Sequence, residues 1–205
     1  MKSSNPIILA VTLIVLTMFF NSCEKGTEPE VIEPGRRDYV WEVDTLKTFN
    51  LSLMKMWGTS PNNVWAVGNG GSLDDDIWHY DGVEWKKSTY TTAGPWCIYG
   101  FAKDDVWVGG ADGEIWHFDG TVWSENLRYQ NSDYERVYFM DIWGESSNDV
   151  YAVGFADSSN IRFGIMMHYD GSKWNRVNIE FTEGIFMAIR KGSKTSNNVL
   201  SQNKR

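Results

Sequence analysis

The 205-residue chain carries 27 acidic against 19 basic residues, a formal net charge of -8 that becomes -9 without Lys2. Such a surface repels nucleic acid and anionic lipid, which excludes both as electrostatic partners. Only Cys97 follows Cys23, so no internal disulfide framework is expected, and packing must hold what is long enough for one domain.

Residues 1–22 read as a signal peptide. Lys2 gives a positive start, and Ile7 to Phe20 is apolar except for Thr12 and Thr17, too short to span a bilayer comfortably. The run ends Phe20-Asn21-Ser22-Cys23. It resembles a bacterial lipobox, with Phe20 where Leu is usual and Asn21 where a small residue is usual. The resemblance implies that Cys23 is diacylated and becomes the new N-terminus. Ordinary cleavage, with Cys23 incidental, is the alternative. Residues 23–37 then form an acidic tether, rich in Glu, Pro and Gly, with little to bury. Cys-Glu-Lys before an acidic stretch resembles the surface-export signals of Bacteroidetes-type lipoproteins. That implies a place at the outer membrane or cell surface, with the lipid anchor as the membrane contact.

Residues 38–50 hold one orphan strand, Tyr39 to Val43, and a connection. A pattern then occurs three times. A Trp/Tyr-Gly pair (Trp57-Gly58, Tyr99-Gly100, Trp143-Gly144) precedes an apolar run ending at Gly68, Gly110 and Gly154, and His-aromatic-Asp-Gly-x-x-Trp follows. Those glycines step by 42 and 44 residues (68 to 110 to 154). A period of roughly 40–45 residues with several short strands marks a propeller blade. The blades are expected over 51–92, 93–136 and 137–183. The first should hold strands over Leu53–Trp57, Val64–Gly68, Ile77–Tyr80 and Val83–Thr89, with turns at Gly58–Asn63 and Asp81-Gly82. The third carries an insert, Phe155 to Arg162. Residues 184–205 start a fourth unit near Ile185 and end in a basic tail. The expected fold is all-β: an incomplete β-propeller of three four-stranded antiparallel blades plus a partial fourth. Propellers usually have about four to eight blades. A truncated copy of a longer propeller, or self-association through open blade edges, is therefore expected.

These repeats resemble those of bacterial surface lipoproteins with tandem W-G-x-S-x-x-D-V-W-A-V-G…H-Y-D-G-x-x-W units. They are distantly similar to Asp-box propellers of the sialidase kind. The likeness covers residues 51–180 and implies the fold. It implies no reaction, because propellers host many unrelated activities.

Residues demanded once per blade read as blade geometry: His79, Asp81, Gly82 and Trp85; His117, Asp119, Gly120 and Trp123; His168, Asp170, Gly171 and Trp174. Each His should pair with a neighbouring backbone group or indole, and each Asp should receive its own turn's N–H groups. A metal site normally draws unlike residues at unlike spacings, so three equivalent His are not read as ligands. Trp78 and Trp116 alternate with His79 and His117, face the other way, and are the candidate ligand contacts, as platforms for a sugar ring. Asp74-Asp75-Asp76 lacks the spacing of a calcium loop, and Asp112-Gly113-Glu114 reads as a turn. Arg128, Arg136, Arg162 and Arg176 share no repeat position, and read as scattered they supply no cluster for a carboxylate. No zinc motif, phosphate loop or nucleophile elbow occurs. No catalytic residue, metal or cofactor is expected. The function expected is a lipid-anchored envelope module for protein or glycan binding, through loops 69–76, 111–114 and 155–164, which vary while the frame does not. The rivals are a fragment of a carbohydrate-active propeller enzyme and a non-functional truncated product.

Overall fold

The computed structural model describes residues 43–44, 46, 52–69, 77–88, 94–180, 183–192 and 201–202. The expected signal peptide, Cys23, the expected tether, the expected strand from Tyr39 to Glu42, and Asp74–Asp76 lie outside them.

The chain is all-β, an incomplete propeller-like arrangement. Blade 1 holds β1 (Ser52–Ser60), β2 (Asn63–Asn69), β3 (Ile77–Tyr80) and β4 (Trp85–Lys87). Blade 2 holds β5 (Pro95–Ala102), β6 (Asp105–Gly110), β7 (Glu114–Phe118) and β8 (Trp123–Arg128). Blade 3 holds β9 (Arg136–Ser146), β10 (Asp149–Ser158), β11 (Ile161–Tyr169) and β12 (Trp174–Arg176). Each is a sheet of four consecutive antiparallel strands. Beyond them β13 (Phe186–Ala188), close to the expected start near Ile185, pairs with β14 (Ser201–Gln202).

The Trp/Tyr-Gly pair is explained by a bulge. Gly58 pairs with Val64 and Ser60 with Asn63, which skips Thr59. Phe101 and Glu145 are skipped at the same place in blades 2 and 3. The bulge drives a carbonyl of the second strand onto the glycine. A Cβ at Gly58, Gly100 or Gly144 would lie 2.6, 2.8 or 2.5 Å from the oxygen of Asn63, Asp105 or Asp149, closer than a methyl group can approach. The turn expected over Gly58–Asn63 is thus mostly strand, with Pro61 and Asn62 alone between β1 and β2.

Two further boundaries are corrected. The outer strand of blade 1, Trp85–Lys87, starts at Trp85 rather than Val83, because Asp81 to Glu84 close a four-residue loop between paired Tyr80 and Trp85; Thr89 lies outside the described residues. The insert Phe155–Arg162 is not a loop. It lengthens β10 and β11 into one hairpin, paired from Val150 and Tyr169 out to Ser158 and Ile161. The turn is Ser159-Asn160, with φ of 50° and 66°. Two left-handed residues match the twist of the flanking strands, so the hairpin can extend.

The core lies between blades. Second-strand residues alternate faces. Trp65 and Val67 pack against Ile98, Val106 and Val108 of the next blade. Trp107 packs against Val150, Ala152 and Ile142 of blade 3. Val153 packs against Phe186 and Ile189. Buried on both faces, these strands read as continuous apolar runs. Cys97 is fully buried there, its thiol donating to the Gly109 carbonyl at 3.2 Å, and burial pushes its pKa up to about 12.

Candidate functional site

The repeated polar residues build one unit per blade. Register sets the second-strand aromatic opposite the His: Trp65 and His79, Trp107 and His117, Tyr151 and His168. The rings lie 4.2, 4.1 and 4.3 Å apart. Each Nε2–H then donates to a side chain that opens the second strand: Asn63 at 2.6 Å, Asp105 at 2.8 Å and Asp149 at 2.7 Å. The rings of His79 and His117 thus lie on indoles, as expected, and that of His168 on a phenol; the carboxylate or amide acceptor is the addition. Its signal was present in the sequence as Asn/Asp at 63, 105 and 149.

The Asp-Gly turns repeat as closely. Asp81 Oδ1 accepts from the N–H groups of Val83 and Glu84, both at 3.0 Å. Asp119 does so from Thr121 and Val122, and Asp170 from Ser172 and Lys173. Hydrogen bonds to the charged form hold all three carboxyls below the usual range: Lys86 foremost for Asp81, the Val122 N–H for Asp119, the Ser172 hydroxyl for Asp170. Gly82, Gly120 and Gly171 have φ of 95°, 92° and 89°. Trp85 packs on Tyr80 within its own blade. Trp123 reaches back to blade 1, edge-on to Trp65 and donating to Ser88 Oγ at 2.9 Å. Trp174 reaches back to blade 2, edge-on to Trp107 and donating to Asn126 Oδ1 at 2.8 Å.

Trp78 and Trp116 are not surface platforms. Trp78 is only 4% exposed, with the Lys87 ammonium over its ring. Trp116 is half-buried between blades 1 and 2 and donates to Glu114 Oε2 at 2.8 Å. On blade 2 the face opposite His117 is used for packing as the His face is, because blades 1 and 3 cover its two sides.

Ser147, Asp105 and His117 meet where blade 3 touches blade 2, but the carboxylate stands in the middle. Ser147 Oγ donates to Asp105 Oδ2, and the imidazole takes the other oxygen. No imidazole faces the hydroxyl, so this is not a nucleophile–base pair. Among the described residues no group of His, Cys, Asp and Glu could hold a metal ion.

The candidate site is a groove of about 570 Å³ between blades 2 and 3. It lies at the sheet end that carries second-to-third-strand loops and blade-to-blade connections. Asp112 of the loop and residues 128–132 and 134–137 of the connection line it. Both walls are fastened. The Tyr129 N–H donates to the Gly113 carbonyl at 2.8 Å, and the Glu135 N–H to the Asp157 carbonyl at 2.8 Å. Asp112, at φ 54°, and Gly113, at φ 70°, make the tight turn, and a Cβ on Gly113 would lie 2.2 Å from the Tyr129 oxygen. The Ser159 N–H adds a bond to Glu135 Oε1 at 3.2 Å.

The arginines that share no repeat position gather around this groove. Arg128 and Arg136 line it. Arg176 donates to Tyr134 OH at 2.8 Å and lies over that ring. Arg162 pairs with Asp157, whose carbonyl holds Glu135. Of the three expected loops, 111–114 contributes Asp112, 155–164 is the hairpin beside it, and most of 69–76 lies outside the described residues. The connection was missed because it stands between repeats. Its signal was the density of Tyr, Arg and amide side chains from Arg128 to Arg136. No protein-family model and no curated protein matches the chain.

Proposed function

We propose that this chain is a binding module of the bacterial cell envelope, held to the membrane by a lipid on Cys23, with the groove between blades 2 and 3 as its ligand seat. The observation that carries this reading is the groove itself. Polar side chains from two blades converge on one cleft whose walls are fixed by backbone hydrogen bonds before any ligand arrives. A preformed cleft with convergent polar groups is where a ligand loses least on binding. The repeated residues, by contrast, are spent on blade geometry.

A second reading, glycoside hydrolysis, draws on Asp112 and Glu135, two carboxylates lining the same cleft. Chromogenic glycosides separate the two: turnover lost in Asp112→Asn or Glu135→Gln favours the enzyme. The anchor is tested by fatty-acid labelling of cells. Cys23→Ala should lose both label and membrane partition. Protein and glycan arrays probed with the wild type and with Ser132→Trp, which fills an exposed groove position, test the seat. Equal array signals from the two proteins would count against it.

A further inference from the structure

The chemistry of the groove narrows its ligand. Val137 is the one aliphatic residue among the ten that line it. An apolar ligand would find little to bury against. Two guanidinium groups, Arg128 and Arg136, stand with two carboxylates, Asp112 and Glu135, so their formal charges cancel (+2 and -2). A polyanion would meet both carboxylates, in a chain whose net charge is -8. What remains is a neutral, polar ligand.

The two arginines differ. Arg128 is committed to Glu114 and Glu125. Among the described residues Arg136 makes no ion pair, and its side chain donates to Tyr138 OH at a long 3.4 Å. Asp112 lines the same groove and is itself exposed. A guanidinium only donates and a carboxylate only accepts, whereas a hydroxyl does both. Neighbouring hydroxyls therefore satisfy such a pair at once: one accepts from Arg136 and the other donates to Asp112. Tyr129 and Tyr134 add aromatic surface to the same lining for the C–H faces of a ring.

We propose that the groove binds a neutral oligosaccharide, with Arg136 and Asp112 sharing adjacent hydroxyls of one sugar. The inference rests on the reading of this groove as the ligand seat. Fixed walls matter for such a ligand, because each hydroxyl gives up water on binding and the gain is only what the site need not spend on ordering itself.

The full chain in detergent is titrated calorimetrically with neutral glucan, xylan and mannan oligosaccharides, with uronic-acid oligosaccharides, and with an acidic peptide. At least one neutral glycan should bind and the acidic probes should not. Arg136→Met and Asp112→Gly should each weaken that binding by about tenfold, the loss of one hydrogen bond to a charged group. Glycine keeps the left-handed backbone at position 112. Ser132→Trp blocks the groove without removing a polar contact, and decides the case if either other substitution lowers the melting temperature. Binding of an acidic probe, lost in Ser132→Trp, overturns the neutral class and leaves the seat standing. Neutral binding unchanged in all three variants overturns the placement. Silence from every probe class removes the seat and the inference together.

Discussion

At the scale of single residues, the repeat is a set of close approaches. Gly120 shows two at once. Its φ is 92°, and a Cβ there would lie 2.6 Å from the Asp104 Cβ. Gly120→Val should therefore destabilise by about 1–2 kcal/mol or more in chemical denaturation. Gly82→Val and Gly171→Val, crowded by Asn62 and Asn148, should follow. Three wild-type denaturation curves would show that these turns need no glycine. The partner Asp sets a pH dependence. The folded carboxyls of Asp81, Asp119 and Asp170 sit below their unfolded values. Their contribution is complete above about pH 4, the unfolded carboxylate range, and is lost as pH falls through the folded values. Burial lowers the His79 pKa as well, so its neutral ring contributes fully above about pH 6.5 and less on acidification below that. Denaturation midpoints should fall from pH 7 to pH 3, and the acid limb should flatten in the triple Asp→Asn variant. A midpoint independent of pH would refute the account. The Asp-Gly turns were legible in the sequence because turn chemistry is local. Trp78 and Trp116 were misread because alternation gives the direction of a side chain but not what covers it.

At the scale of elements, the blade is a cross-strand row whose outer Trp locks onto the blade before it. Trp57 fills the space above Gly100, where a Cβ would lie 2.6 Å from its ring. Trp123 and Trp174 close the outer side. His117 belongs to this row, stacked on Trp107 and bonded to Asp105. His117→Gln should cost about 1–2 kcal/mol, the loss of a charge-assisted hydrogen bond and a ring contact. Ligand binding at the groove should not change. A fall in affinity at constant stability would instead give the His a functional role. The three sheets of four consecutive strands were readable because the repeat supplies three independent copies of each signal. The groove was not, since it is made where copies differ. Arg128 and Arg136 are eight positions apart on two strands, and only the connection between them makes them neighbours of one cleft. The hairpin Phe155–Arg162 looked like a loop because its length broke the repeat, although Phe155, Ala156 and Gly164 continue the buried pattern.

At the scale of the whole molecule, blade 1, blade 3 and the segment just after β13 are joined by one buried carboxylate. Asp141 of β9 receives Lys55 Nζ from blade 1, Arg190 Nη1, and the Ile189 N–H at 2.9 Å. Its side chain is 2% exposed. Asp141→Ala strands these donors and should cost about 3–5 kcal/mol, whereas Lys55→Met leaves two of the three bonds and should cost less. The other whole-molecule feature is the face of blade 1 that looks away from blade 2. Ile98 and Ile142 are 4% and 1% exposed because each packs on the blade before it, while Met56, at the equivalent place, is 57% exposed and Met54 beside it 47%. Among the described residues β1 is also an edge strand, with β2 its one partner in the sheet. An apolar face on a free edge favours association with a second copy. Residues 38–205, expressed alone, should elute as a dimer or larger species by size exclusion with light scattering. Met54→Lys with Met56→Glu should shift them toward monomer at an unchanged melting temperature, since neither side chain is buried. A monodisperse wild-type monomer would show that the methionine face needs no cover and that three blades with β13 are sufficient as they stand.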